Sequence, residues 1–303
     1  MPVTAEDIAA YLDAQDDFDL ELFVHRSLVL SGFHSEHAGT YADPATGRPQ
    51  RFDVRARRFF PSHRRQVLLA LECQSVPAES PLLVSRVPRT VQEGYHEVLR
   101  SWQAVETGED AIEVLRWERG LELYPENVQV GRQLARIPKD SGMVGASPRE
   151  QWSRAVMSAA DLVREADHAA RERGTLDCYT IVLPVMVVSD AALWAIDYTE
   201  SGQRARSALQ IQETEIYLGH EYEVRPGYRY RISHLHLFTR EGLSHFLAKL
   251  VEPASSLLEQ MFQFTTLPET APPADRSARS RRRMRAGEAS PRADLAPASA
   301  KIS

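Results

Sequence analysis

The sequence predicts an α/β protein with a mixed β-sheet, because strand patterns, a hairpin signal and long helices alternate along the chain. Two continuous apolar runs, Val67–Gln74 and Tyr179–Val188, have the pattern of strands buried on both faces. A turn sequence at Asp43–Gly47 separates two further strands, and a long helical stretch precedes the second apolar run. The predicted order is helix–strand–strand–strand–helix–strand, followed by additional strands and a helix.

Local signals set the bounds of the main elements. In 17–31 apolar residues recur at helical spacing, Asp16 or Asp17 can cap the helix, and Gly32 ends it. The long helix begins at Ser147-Pro148 and ends at Gly174. The other predicted elements are helices at 5–15, 90–104, 109–118 and 240–251, strands at 34–41, 50–59, 82–87, 191–198, 208–217 and 231–238, and a loop at 125–146.

Composition excludes several classes of protein. Hydrophobic residues make up 43% and charged residues 26% of the 303 positions, which is ordinary for a globular protein. No window approaches 18 uninterrupted apolar residues, so no membrane span is predicted, and the N-terminus lacks the pattern of a signal peptide. Cys73 and Cys178 stand alone rather than in a CxxC pair, which argues against structural zinc and favours a reducing, cytoplasmic location.

Charge divides the chain into two parts. Residues 1–265 are predicted to form one domain, in which 88–146 carries the weakest pattern and is treated as an insertion. With 28 basic and 38 acidic residues this part has a balance of −10, whereas 266–303 has a balance of +4 and is rich in Pro, Ala, Ser and Arg. The latter segment is predicted to be a disordered tail. An acidic body disfavours long-range attraction to nucleic acid, but Arg48–Arg65 holds seven arginines and a single acid.

The acid in that arginine-rich segment is Asp53, which shares a strand face with Arg51, Arg55 and Arg57. Glu72 ends the next strand, so the two carboxylates converge if these strands pair. Two carboxylates with phosphate and water oxygens are the usual ligand set of Mg²⁺. The alternative is a pair of solvated or ion-paired acids. The apolar run before Glu72 argues against that alternative, because a buried acid is costly unless it is paired or metal-bound.

A series of motifs runs from Glu21 to Gln74. They read Gly-Phe at 32–33, Tyr-Ala-Asp-Pro-Ala-Thr-Gly at 41–47, Arg-Phe-Asp-Val-Arg-Ala-Arg at 51–57 and Leu-Glu-Cys-Gln at 71–74. Together with the apolar strand at 184–188 and the segment at 237–247, they resemble the PD-(D/E)xK, or restriction-endonuclease-like, nuclease superfamily, and more closely its uncharacterised prokaryotic members. The resemblance covers most of 17–250. It implies a mixed β-sheet core flanked by helices, with additional C-terminal strands and a helix.

The resemblance also implies a site. Asp53 and Glu72 would bind Mg²⁺ or Mn²⁺, Glu21 would approach from the first helix, and Gln74 stands where the family has a lysine. A lysine orients water and stabilises developing negative charge, whereas glutamine carries no charge. Asp53, Glu72, Gln74 and Glu21 are therefore the candidate catalytic residues, with Gln74 expected to position water.

The resulting hypothesis is a metal-dependent nuclease that hydrolyses phosphodiester bonds in DNA rather than RNA, with activity reduced by Gln74. Arg51, Arg55 and Arg57 are predicted to face nucleic acid. The alternative is a catalytically inactive protein of the same fold that serves as a nucleic-acid-binding or protein-interaction scaffold. No membrane partner is predicted, and the sequence leaves the oligomeric state open.

Three histidines form a competing metal hypothesis. His234 and His236 alternate along a predicted strand, and His245 follows on the next helix. Because no acid or cysteine completes a ligand set, the sequence favours interpreting them as solvent-facing strand histidines.

Overall fold

The computed structural model describes residues 3–9, 17–44, 46–60, 64–103, 110–118, 124–125, 127–138, 148–173, 178–225, 228–252 and 256–262. These residues belong to one compact unit, which spans Met1–Gln263. The predicted tail at 266–303 lies outside the described residues. Within the described ranges, no helix combines the length and apolar character that crossing a membrane requires.

The described elements confirm a mixed α/β architecture. The first half contains α1 (Phe18–Leu30), β1 (His34–Ala42), β2 (Pro49–Phe60), β3 (Arg65–Gln74), β4 (Leu82–Pro88), β5 (Tyr95–Gln103), β6 (Asp110–Glu118) and β7 (Gln129–Arg136). The second half contains α2 (Pro148–Arg173), β8 (Cys178–Val188), β9 (Leu193–Asp197), β10 (Leu209–Gln210), β11 (Glu213–Arg225), β12 (Tyr228–Thr239), α3 (Arg240–Val251) and α4 (Ser256–Met261). In the described part of the chain, twelve strands form one mixed sheet.

The sheet is built on an antiparallel meander followed by a parallel crossover. Strands β1, β2 and β3 pair antiparallel in chain order, and β8 then pairs parallel to β3. Helix α2 makes the connection into β8, and its apolar residues pack on the face of β3 that carries Leu68 and Ala70. The opposite face of β3 carries Cys73, which lies beside Asp17 and Glu21 at the start of α1. Helices therefore cover both faces of the sheet at the end of β3.

The start of α1 is fastened to the end of β3. The Asp17 side chain makes no capping hydrogen bond to its own helix, contrary to the prediction. Its carboxylate accepts a hydrogen bond from the backbone N–H of Ser75 instead. Gly32, at a φ of +77°, ends the helix as predicted. The first turns of α1, which carry Glu21, are thus held next to the last residues of β3.

Pro184 lies inside a central strand, where proline is unusual. Strand β8 pairs with β5 through Cys178–Thr180 and with β12 through Val185–Val188. Pro184 lies between these two segments, where β8 changes partner on that side. On the other side of β8, Pro184 is aligned with Ala70 within the β3 ladder. The proline thus falls where β8 has a neighbour on one side only, which agrees with the irregularity that the sequence indicates.

The weakly patterned region differs from its prediction. Residues 95–103 and 110–118, predicted as helices, form the antiparallel pair β5 and β6, and the predicted loop at 125–146 contains β7. Short segments such as Ile112–Trp117 fit either helical or strand spacing. Pairing decides the outcome here, because β5 adds to the free side of β8 and β7 joins β4 to β11.

Candidate active site at the ends of β2 and β3

Two acids meet where the β2–β3 ladder stops. The paired register runs from Phe60 and Arg65 to Val54 and Leu71. At the next position the Asp53 carboxylate accepts a hydrogen bond from the backbone N–H of Cys73, with an Oδ2–N distance of 2.8 Å. The Asp53 and Glu72 carboxyl groups lie close enough for each to influence the pKa of the other. The structure therefore brings together Asp53 and Glu72, the two residues that the sequence analysis predicts as metal ligands.

The surroundings of both carboxyl groups favour their neutral forms. Burial and the neighbouring charge of Asp53 together raise the pKa of Glu72 to about 9, although Arg154 opposes the shift. Burial also raises the pKa of Asp53, although the Cys73 N–H favours its ionised form. Because neighbouring like charges resist joint ionisation, the pKa of Glu72 is the one raised to about 9, and Glu72 is neutral near pH 7.

Two side-chain oxygen atoms at the end of β3 lack a hydrogen-bond partner among the described residues. The Oε1 atoms of Glu72 and Gln74 are buried and have no hydrogen-bond partner among the described residues. Glu72 is 5% exposed and Gln74 is 8% exposed. Unpaired buried oxygens of this kind are unfavourable unless water or a cation reaches them. The donor set therefore fits a hard divalent cation that keeps water and substrate oxygens as its remaining ligands.

The protein does not form a complete ligand cage here. In the described ranges, no three His, Cys, Asp or Glu side chains are grouped closely enough to hold a metal ion. Glu21 lies near enough to raise the pKa values of Asp53 and Glu72 through its negative charge. Its Oε2 atom is engaged by His37 Nε2 at 2.6 Å, so Glu21 acts from beside the pair. His37 on β1 carried no signal in the sequence, and only the pairing of strands brings it to Glu21.

The arginines of β2 separate into two groups. Arg51 and Arg57 are exposed, as a surface that faces nucleic acid requires. Arg55 is 6% exposed and points at α2, so its predicted place on the phosphate-facing surface is wrong. Its guanidinium binds side chains more than a hundred positions later in the chain, a separation that hides them from sequence patterns.

The contacts of Arg55 form a clamp, by which we mean Arg55 with Ser158, Asp161 and Glu165 of α2. Arg55 Nε donates to Ser158 Oγ at 3.0 Å, and the two terminal nitrogens donate to Asp161 Oδ2 at 2.8 Å and Glu165 Oε1 at 2.9 Å. Arg55 also donates to the backbone oxygen of Ser158 at 3.2 Å. The clamp fixes α2 against the strand that carries Asp53.

A second arginine, Arg154, reaches the acid pair from α2. Its Nη1 atom lies 3.6 Å from Glu72 Oε2, and its side chain is 50% exposed. Its charge favours the ionised forms of both Glu72 and Asp53. Arg154 is not among the residues predicted from the sequence, because no local sequence signal distinguishes it from the other charged residues of a long surface helix.

The histidine hypothesis has a different outcome. His234 and His236 are 1% and 2% exposed, so interpreting them as solvent-facing is wrong. They lie on the face of β12 opposite Leu235, where Tyr124 stacks on His234 and donates to or accepts from His236 at 2.9 Å. Burial lowers the pKa values of both imidazoles, which keeps them neutral. His245 is exposed on α3.

The raised pKa of Glu72 makes stability depend on pH in a defined direction. The ordinary value is 4.5, so between pH 4.5 and 9 the folded protein keeps a proton that the unfolded chain has lost. This contribution is present below pH 4.5 and is lost as the pH rises toward 9. We expect Glu72→Gln, which stays neutral, to gain about 1.4 kcal/mol of unfolding free energy over wild type per pH unit in this window.

Urea unfolding of the metal-free proteins at pH 5, 6.5 and 8 measures this difference. Glu36 is an exposed acid on β1, and Glu36→Gln is the control, with changes expected within about 0.5 kcal/mol. A constant difference between Glu72→Gln and wild type at all three pH values contradicts the raised pKa of Glu72.

The clamp predicts unequal effects of two arginines on one strand. Arg55→Met leaves Asp161 and Glu165 without their partner, and breaking a buried ion pair costs about 3–5 kcal/mol. Arg57→Met removes an exposed arginine from the same strand and should change stability by no more than about 0.5 kcal/mol. Equilibrium unfolding of the two variants tests the difference. Equal stabilities show that the clamp does not hold α2.

Known proteins offer no relative from which a role could be transferred. No protein-family model, curated protein or solved structure matches this chain significantly. The function must therefore be inferred from the chemistry of the acid pair and its surroundings.

Proposed function

We propose that this protein is a metal-dependent nuclease that hydrolyses phosphodiester bonds in DNA at the acid pair of Asp53 and Glu72. The observation that carries the proposal is that a buried and a half-buried carboxyl group adjoin at the ends of two paired strands, beside unpaired buried oxygens of Glu72 and Gln74. Such an arrangement is costly for the folded protein, and a divalent cation in place of the proton on Glu72 would relieve it.

The order of the elements supports this proposal. A helix, an antiparallel meander of three strands, a long helix and a strand parallel to the third come in this order in α1, β1–β3, α2 and β8, with β4–β7 inserted between β3 and α2. This is the order that the resemblance to restriction-endonuclease-like proteins implies. The acids occupy the ends of the second and third strands, where that resemblance expects them.

The residues of the site have distinct tasks under this proposal. Asp53 and Glu72 would hold Mg²⁺ or Mn²⁺, and the bound ion supplies charge that polarises the phosphodiester and lowers the pKa of an attacking water. Gln74 directs an amide toward the same space and can orient that water. Glu21 adds negative charge that favours a cation, and His37 keeps the Glu21 carboxylate in position.

The proposed partner is DNA, approached through the exposed arginines of β2. Arg51 and Arg57 can contact phosphates, whereas Arg55 is engaged within the protein. Two exposed arginines on an acidic body favour short-range contacts with phosphates over long-range attraction. A cytoplasmic location, favoured by the isolated cysteines, agrees with such a substrate.

Metal binding is the sharpest test of the acid pair. Asp53→Asn keeps an oxygen that can accept from the Cys73 N–H but removes the charge, so the fold should persist. We expect calorimetric titration with Mn²⁺ to show binding to wild type and a loss of at least tenfold in affinity in Asp53→Asn. Metal-dependent nicking of supercoiled plasmid should disappear in the same variant.

Cleavage counts only if Asp53→Asn abolishes it, because this control excludes a contaminating nuclease. If folded wild-type protein neither binds Mn²⁺ nor cuts plasmid DNA or RNA, the nuclease proposal fails and the inactive scaffold remains.

A gain of function tests the position of Gln74. Gln74→Lys places a cation next to Glu72, and electrostatic stabilisers of this kind contribute about 10²–10³-fold to rate. We expect Gln74→Lys to nick plasmid DNA faster than wild type, and the double variant with Asp53→Asn to nick none. The initial rate of supercoiled plasmid loss in Mn²⁺ measures the effect. A fully folded Gln74→Lys that cuts no faster than wild type contradicts the assigned position.

A further inference from the structure

We infer that Arg154 supplies the positive charge of the proposed site by contacting the phosphodiester next to the acid pair, at the position that Gln74 leaves uncharged. This inference rests on the proposed nuclease function and extends it to a residue on a different element. Gln74 lies at the end of β3, whereas Arg154 lies near the start of α2.

The contacts of Arg154 leave it able to bind a second group. Its Nη1 atom lies 3.6 Å from Glu72 Oε2, which is an ionic contact longer than a good hydrogen bond. A guanidinium has five N–H donors, and half of this side chain remains exposed. Arginine matches phosphate oxygens through paired donors. Arg154 can therefore contact Glu72 and a phosphate at the same time.

The clamp explains why Arg154 stands at this level of the sheet. Ser158 follows Arg154 by one turn of α2, a rise of about 6 Å. Arg55 follows Asp53 by two residues of β2, a rise of about 7 Å. Because Arg55 binds Ser158, matching rises place Arg154 level with Asp53 and Glu72.

Strand directions agree with this register. Helix α2 begins beside the end of β3, where Arg154 meets Glu72, and it ends shortly before the start of β8, which is parallel to β3. The helix therefore runs in the same direction as β2, which is antiparallel to β3. Along this shared direction Arg154 precedes Ser158 on α2, and Asp53 precedes Arg55 on β2. Arg154 therefore lies level with Asp53, as Ser158 lies level with Arg55.

A plain surface ion pair is the competing explanation. Half-exposed pairs contribute about 0–1 kcal/mol to stability and make no demand on the chemistry of a substrate. The two explanations differ in what Arg154→Ala changes. A surface ion pair predicts small effects on everything, whereas the proposed role predicts a small effect on stability and large effects on DNA binding and cleavage.

The experiment compares Arg154→Ala, Arg154→Lys and the double variant Arg154→Ala with Gln74→Lys. Arg164→Ala is the control, because Arg164 lies on the same helix and contacts the backbone oxygen of Glu223 instead. We expect Arg154→Ala to nick supercoiled plasmid in Mn²⁺ at least 100-fold more slowly, a usual loss for an electrostatic stabiliser. Arg154→Lys should stay within tenfold of wild type, and the double variant should recover at least tenfold over Arg154→Ala.

Binding provides a readout that needs no cleavage. We measure the affinity of metal-free protein for a short DNA duplex over a range of salt concentrations. Loss of one phosphate contact lowers the slope of log affinity against log salt by about 0.9. That decrease is expected for Arg154→Ala and not for Arg164→Ala.

The outcomes separate this inference from the proposed function. If wild type cuts DNA and Asp53→Asn does not, while Arg154→Ala cuts at the wild-type rate with an unchanged salt slope, the role of Arg154 is overturned and the nuclease stands. If adding Gln74→Lys to Arg154→Ala does not increase the cleavage rate, the claim that a cation at either position can supply the same positive charge is overturned. If wild type neither binds Mn²⁺ nor cuts, the proposed function falls and this inference falls with it.

Discussion

The placement of a half-buried carboxyl group, that of Asp53, beside the buried one of Glu72 is the constraint on which the rest of this structure depends. Asp53 and Glu72 lie where β2 and β3 stop pairing, and the Asp53 carboxylate accepts a hydrogen bond from the backbone N–H of Cys73. Burial, and after it the neighbouring charge of Asp53, raise the pKa of Glu72 to about 9, so the two groups are not ionised together near pH 7. A protein under selection for stability alone would replace such a pair with apolar side chains. Its presence is more readily explained by a function that uses the charge.

Around this pair the two halves of the chain meet. The start of α1 is fastened to the end of β3 through Asp17 and Ser75, and α2 is fastened to β2 through Arg55. Both helices therefore bring charged side chains to the same place, Glu21 from one face of the sheet and Arg154 from the other. Arg55 does not face a substrate. Its buried contacts with α2 instead align that helix with the strand.

Sequence reasoning succeeded where the signal is local. The long helix α2, the Asp43–Gly47 turn and the buried strand β3 follow from capping residues, turn residues and apolar runs. The meeting of Asp53 and Glu72 followed as well, since neighbouring antiparallel strands fix which residues adjoin.

The failures have the opposite cause, because they depend on partners far along the chain. The sequence predicts helices where β5 and β6 form, because no local signal shows that β5 pairs with the edge of β8. Arg55 looked like a surface cation because Asp161 is 106 positions away. His236 looked solvent-facing because Tyr124 covers it from a distance of 112 positions.

The parallel pairing of β3 with β8 has a consequence for the newly made chain. Val67 pairs with Ile181, so β3 emerges from the ribosome more than a hundred residues before the strand that completes it. At ~5–20 residues per second, synthesis of that interval takes roughly 6–20 s. Throughout this time one edge of β3 and the apolar face that α2 later covers are open to other chains. An unpaired apolar strand edge can pair with other chains, so this interval is the one in which the newly made protein is most exposed to aggregation.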